Sequence, residues 1–142
     1  MSDKVVDNAN DHAKPPLWRV LLRRVLRVLL AHLFGFVGVL HFVRPHFFEQ
    51  IVPPYLPWPL ALVYISGYFE ILGGCCIMIP AVRQAAGWGL IALLIAVFPA
   101  NLHMAMNNVV PEGATFTQTQ LWLRLPFQLV FIVWVWWCAR DG

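Results

Sequence analysis

The sequence predicts an all-α fold, a polytopic membrane protein built as a bundle of four transmembrane helices, and three observations carry that reading. Of its 142 residues 60% are hydrophobic and 12% charged, and mean hydropathy is +0.67, above the range of ordinary soluble domains. Four apolar runs, at about 25–43, 60–79, 87–106 and 121–138, each approach the length a helix needs to cross about 30 Å of hydrocarbon. The runs are continuous, whereas a membrane barrel would show strands of about ten residues with alternating polarity.

Residues 1–16 are polar, aperiodic and end in Pro15-Pro16, and are read as a disordered cytoplasmic tail. Residues 17–142 form a single domain. Its opening segment sets Arg19, Arg23 and Arg27 at i, i+4 and i+8, with Arg24 beside them; this is a topology anchor whose charges can meet anionic headgroups at about 1 kcal/mol each. The first span follows as a retained helix, since no small-residue cleavage site succeeds it. The loop 44–59, RPHFFEQIVPPYLPWP, mixes aromatics with prolines. Its first half is expected to be a short interfacial helix and its second half an extended lid.

Loop charge orients the bundle. Lys4, Lys14, the four arginines of 19–27, Arg83 and Arg140 lie on one side and Arg44 on the other, which places both termini in the cytoplasm and the protein in the cell (inner) membrane. Trp58 and Trp122 mark the outer interface; Trp88, Trp134, Trp136 and Trp137 mark the inner one. The ten Lys and Arg against seven Asp and Glu gather at the amino end rather than in a nucleic-acid patch. The expected partner is therefore the lipid bilayer and no nucleic acid.

Polar residues inside the spans are costly and mark function by default. Glu70 falls near the midplane of the second span. Ser66, Gly67, Gly73 and Gly74 share its face, and such small residues identify a packed face that turns the acid inward. His41 closes the first span, Asn101 and His103 occupy the outer third of the third, and Arg124 and Gln128 share one face of the fourth at i, i+4. Arg124 is the expected counter-charge for Glu70. The polar set thus gathers in the half of the bundle facing away from the cytoplasm. Cys75 and Cys76 are adjacent and Cys138 lies apart, a pattern read as packing rather than redox pairing or metal ligation. A haem held by His41 and His103 has only the two histidines in its favour.

Taken together, GVLHF over residues 38–42, Glu70 followed by Gly73-Gly74, FPAN over residues 98–101, and Arg124, Pro126 and Gln128 resemble the DoxX family of small four-helix bacterial membrane proteins. The resemblance covers about residues 34–137. It implies a redox-associated protein, at most a subunit of a membrane oxidoreductase of the thiosulfate:quinone type.

Two classes of function stay open. In the first, a quinone head sits in the outer half: Arg124 and His41 hydrogen-bond its oxygens, Glu70 moves the accompanying proton, and Asn101, His103, Gln128 and Tyr68 line the cofactor site. A soluble or membrane redox partner subunit then supplies the electrons. In the second, the chain is a non-enzymatic scaffold, assembly factor or small transporter without cofactor, in which the polar cluster fixes helix packing. A homo-oligomer is compatible with either class.

Overall fold

A computed structural model describes residues 14–140. The tail expected to be disordered lies almost entirely outside these residues. The described chain is all-α: α1 (Leu17–Val43), α2 (Pro45–Glu49), α3 (Pro59–Cys76), a 3-10 turn (Pro80–Val82), α4 (Arg83–Asn107) and α5 (Gln118–Ala139). Helices α1, α3, α4 and α5 are each long and apolar enough to cross a membrane. In every one, only 22% of the most apolar window is buried within the chain, so most of that surface is left for lipid.

Several helix ends differ from the hydropathic runs: α4 starts at Arg83 and α5 at Gln118, each a few residues early, and two further ends are instructive. Helix α1 begins at Leu17 rather than near residue 25, because hydropathy marks only the hydrocarbon-embedded part while the arginine-bearing turns continue the same hydrogen-bonded ladder. Helix α3 stops at Cys76, three residues short of the run, and Pro80 then opens the tight turn into α4.

The four long helices alternate in direction. One end of the bundle, the basic end, carries Arg19 to Arg27, Arg83 and Arg140. The other, the loop end, carries α2 and the connection 108–117. Exposed tryptophans ring both ends, Trp18, Trp88 and Trp136 at the first, Trp58 and Trp122 at the second, as amphipathic rings do at membrane interfaces.

Local signals set the ends. Pro59 occupies the first position of α3, where its missing N–H costs nothing. Asn108, in the left-handed region at φ 51°, closes α4 with its N–H on the Met104 carbonyl. Thr117 and Gln120 form a capping box at the start of α5. Their backbone N–H groups donate reciprocally to Gln120 Oε1 at 3.0 Å and Thr117 Oγ1 at 3.3 Å. At the basic end, arginines cover orphaned carbonyls. Arg27 donates to Cys138 O at 2.7 Å and Arg140 O at 3.2 Å, while Arg83 Nε donates to Ile77 O at 3.1 Å, satisfying groups the last helical turns leave free.

Helix α1 packs chiefly on α3, α3 on α4, and α4 on α5. The α1–α3 seam brings backbone against backbone. A Cβ on Gly38 would stand 2.8 Å from the Gly67 carbonyl oxygen, and one on Gly67 would stand 2.8 Å from the Gly38 carbonyl oxygen. The two backbones therefore touch. One apolar core, containing Leu30, Phe34, Ile77, Leu90, Val135 and Cys138, fills the basic half; a second, Ile51, Met104, Ala105 and Leu121, lies at the loop end against Phe47 and Phe48 of α2.

Candidate functional site

Between α1 and α5 the ring of helices is incomplete. These two meet at the basic end, through the bonds of Arg23 and Arg27 to the last carbonyls of α5 and through the core that contains Leu30 and Cys138. Further toward the loop end they part around an open cavity of about 540 Å³. Leu33, Phe34 and Val37 form its α1 side, and Leu123, Phe127 and Phe131 the apolar part of its α5 side. Glu70, Asn101, Gln120, Arg124 and Gln128 supply its polar groups. Gln120, Arg124 and Gln128 recur every four residues, so α5 presents them as one stripe.

The geometry of Glu70 follows from the glycine seam. The two helices run antiparallel, so Glu70 packs against Gly38 and His41 against Gly67, and the two side chains meet across the room the glycines leave. His41 Nδ1 stands 3.3 Å from Glu70 Oε2, both side chains nearly buried. The same nitrogen lies 2.8 Å from the Val37 carbonyl oxygen, which can only accept, so Nδ1 carries the proton and spends it within its own helix. Glu70 Oε2 is left buried without a hydrogen bond. The far face of the His41 ring stacks on Phe48 of α2, with centroids 3.8 Å apart and planes at 17°. Helix α2 thereby covers the histidine from the loop end.

The expected Glu70–Arg124 pair does not form, because α5 stands across the cavity from α1 and α3. Arg124 instead directs Nη1 to Met104 Sδ at 3.4 Å and lies over the Phe116 ring at 5.1 Å. It makes no ion pair among the described residues, so a planar fork of strong donors faces the cavity with only weak acceptors on it.

Asn101 and Gln128 are engaged with one another. Asn101 Nδ2 donates to Gln128 Oε1 at 3.0 Å, and Gln128 Nε2 donates to the Leu94 carbonyl oxygen. This clamp joins α5 to α4 beside Pro99, whose missing N–H already interrupts the α4 ladder. Both residues touch the cavity, but much of their bonding capacity is spent on packing.

Two residues assigned to the site stand elsewhere. His103 Nδ1 pairs with Asn107 Nδ2 at 3.0 Å one turn along α4, and it is absent from the cavity wall. Asn101 and His103 are two apart on a helix and cannot share a face. Tyr68 is 57% exposed and meets Phe69 edge to face; two residues from Glu70, it points to the lipid side. His41 lies against Glu70 and Phe48, whereas His103 is hydrogen-bonded to Asn107 within α4. Gln120 and Phe116 join the cavity without having been singled out. The T-x-x-Q spacing from Thr117 was the available signal, since the capping box fixes where α5 starts and hence which residues continue the Arg124 stripe.

Among the described residues no group of three His, Cys, Asp or Glu side chains could hold a metal ion, and Cys75, Cys76 and Cys138 are free thiols.

No curated protein and no solved structure matches the chain. A family model matches residues 30–139, a span that includes the entire cavity wall from Leu33 to Phe131. The chain therefore belongs to the family described as Domain of unknown function (DUF8561).

Proposed function

We propose that this chain is a redox-associated membrane protein that binds a quinone-class molecule in the cleft between α1 and α5. The observation that carries the reading is the cleft itself: an open cavity of about 540 Å³ in the side of a lipid-facing bundle, mostly apolar, with Arg124 and Glu70 in its wall. Such a site suits an amphipathic molecule that dissolves in the bilayer and enters sideways. A quinone carbonyl would accept from Arg124, the cavity's one cation among the described residues, while the ring packs against Phe127 and Phe131. Glu70 would handle the proton, with His41 behind it. A carboxyl between a histidine and a ligand cavity is arranged for general acid–base work. Reduction to quinol takes two electrons and two protons; the electrons would come from a soluble or membrane redox partner, and this chain would supply binding and a proton route. The orientation with both termini cytoplasmic in the cell (inner) membrane belongs to the same reading, on the grounds of loop charge. So does the likeness to DoxX proteins.

A scaffold, assembly or transport role is favoured by one observation, the commitment of Asn101 and Gln128 to a clamp between α4 and α5. A binding experiment separates the two. Purified protein in mild detergent is titrated with a short-chain quinone, and tryptophan quenching is followed. Saturable binding that is lost in Leu94→Trp, which fills the cavity, and weakened in Arg124→Ala supports the quinone site. Quenching that does not saturate, or that survives Leu94→Trp, refutes it.

A further inference from the structure

At the opposite end of the bundle a second, chemically different cavity is walled by five arginines, Arg19, Arg23, Arg24, Arg27 and Arg83. It encloses about 670 Å³ between the first turns of α1 and the turn joining α3 to α4. No Asp or Glu lines it among the described residues. Arg19, Arg23 and Arg24 make no ion pair there, and the side chains of Arg19 and Arg24 donate no hydrogen bond to the described residues, Arg19 lying over the Trp18 ring at 5.3 Å. Arg27 and Arg83 are held against helix-terminal carbonyls, which fixes the floor of the cavity. Three further observations bear on what fills it. The groove sits at the level of the exposed Trp18, Trp88 and Trp136, the depth at which lipid headgroups meet protein. Val28 and Met78 line its membrane-facing edge and are themselves part-exposed. Apolar Val25 and Leu29 lie open beside it.

A concentration of cations that faces one wall of apolar surface matches the two halves of a single molecule. We propose that this groove is a binding site for an anionic phospholipid, its phosphate held by Arg19, Arg23 and Arg24 and its acyl chain lying along Val28 and the exposed face of α1. Basic pockets between transmembrane helices bind such headgroups by charge-assisted, fork-shaped contacts. Because the groove joins α1 to the α3–α4 turn, an occupying lipid would cross-link the start of the bundle to its middle. The site is independent of the α1–α5 cleft and of any ligand there.

The test is native mass spectrometry of the detergent-solubilised full chain, titrated separately with phosphatidylglycerol, phosphatidylcholine and inorganic phosphate. The expected result is one tightly retained phosphatidylglycerol per chain, with phosphatidylcholine and inorganic phosphate not retained. The double substitution Arg19→Gln/Arg24→Gln is expected to weaken retention about 30-fold, the equivalent of two charges at about 1 kcal/mol each. Val28→Trp, which blocks the groove while keeping all five charges, is expected to abolish it. Arg140→Gln, at the same end but outside the groove, should leave it unchanged. Equal retention of phosphatidylcholine, capture of inorganic phosphate alone, or an equal loss in Arg140→Gln would each overturn the proposal, as would unaltered retention in Val28→Trp.

Discussion

The α1–α3 seam offers the sharpest test of how this bundle is held, and Gly67→Ala is the perturbation. A methyl at residue 67 would lie 2.6 Å from His41 Cβ and 2.8 Å from the Gly38 carbonyl oxygen. Ordinary contact begins near 3.4 Å, so the helices must part by about 0.6–0.8 Å, enough to forfeit a good fraction of the dispersion energy along the seam. The atoms in the way are backbone and a Cβ, not the end of a flexible side chain. Overpacking of this kind costs about 1–3 kcal/mol, against which alanine recovers about 0.5–1 kcal/mol of helix propensity. The net expectation is a loss of up to about 2.5 kcal/mol, centred on about 1 kcal/mol, measured by denaturant titration in mixed micelles with helicity followed by circular dichroism. Gly35→Ala is the internal control: it lies on the same helix, and a Cβ there meets nothing within 4 Å. That variant should be neutral or stabilised by up to about 1 kcal/mol. If Gly67→Ala proves as stable as Gly35→Ala, the backbone-to-backbone seam is not what joins α1 to α3, and the reasoning that places His41 beside Glu70 fails with it.

Other outcomes follow from the same structure. Asn101→Leu and Gln128→Leu should each destabilise the fold, and the double-mutant cycle should return a coupling of about 0.5–1.5 kcal/mol; additive losses would show that the clamp is not an interaction. Thr117→Ala removes the capping-box oxygen at the start of α5 and should cost about 1 kcal/mol in the same titration; an unchanged midpoint would contradict the cap. Under the quinone reading, Glu70→Gln should leave binding of a short-chain quinone nearly intact but slow its reduction when a redox partner is supplied, whereas Arg124→Ala should weaken binding about tenfold, the scale of one lost charge-assisted hydrogen bond. Equal binding by wild type and Arg124→Ala would remove the arginine from the site.

Much of this protein was legible in its residues. A bilayer demands of each helix by itself that it be apolar over its full crossing and hydrogen-bonded internally, so composition alone reveals four spans. The stripe of small residues around Glu70 identified a packed face because close helix approach in lipid needs small side chains, and Gly67 and Gly73 are indeed buried. The arginines of 19–27 marked one end of the bundle for the same one-dimensional reason, that charge is excluded from hydrocarbon. None of these properties depends on which helix neighbours which.

Neighbourhood is what only the tertiary structure decided. Periodicity shows that Glu70 points inward, yet it cannot say toward what. Arg124 was the natural partner by charge, but Gly38 and Gly67 bring α1 against α3 and so set His41 beside the acid. Helix α5, packed on α4, holds Arg124 across an open cleft. The difference is physical: hydrophobicity and charge act on each residue through its solvent, so they leave a trace in the order of the chain. The meeting of two particular backbones depends on shape complementarity between segments far apart in that order, which no local pattern records.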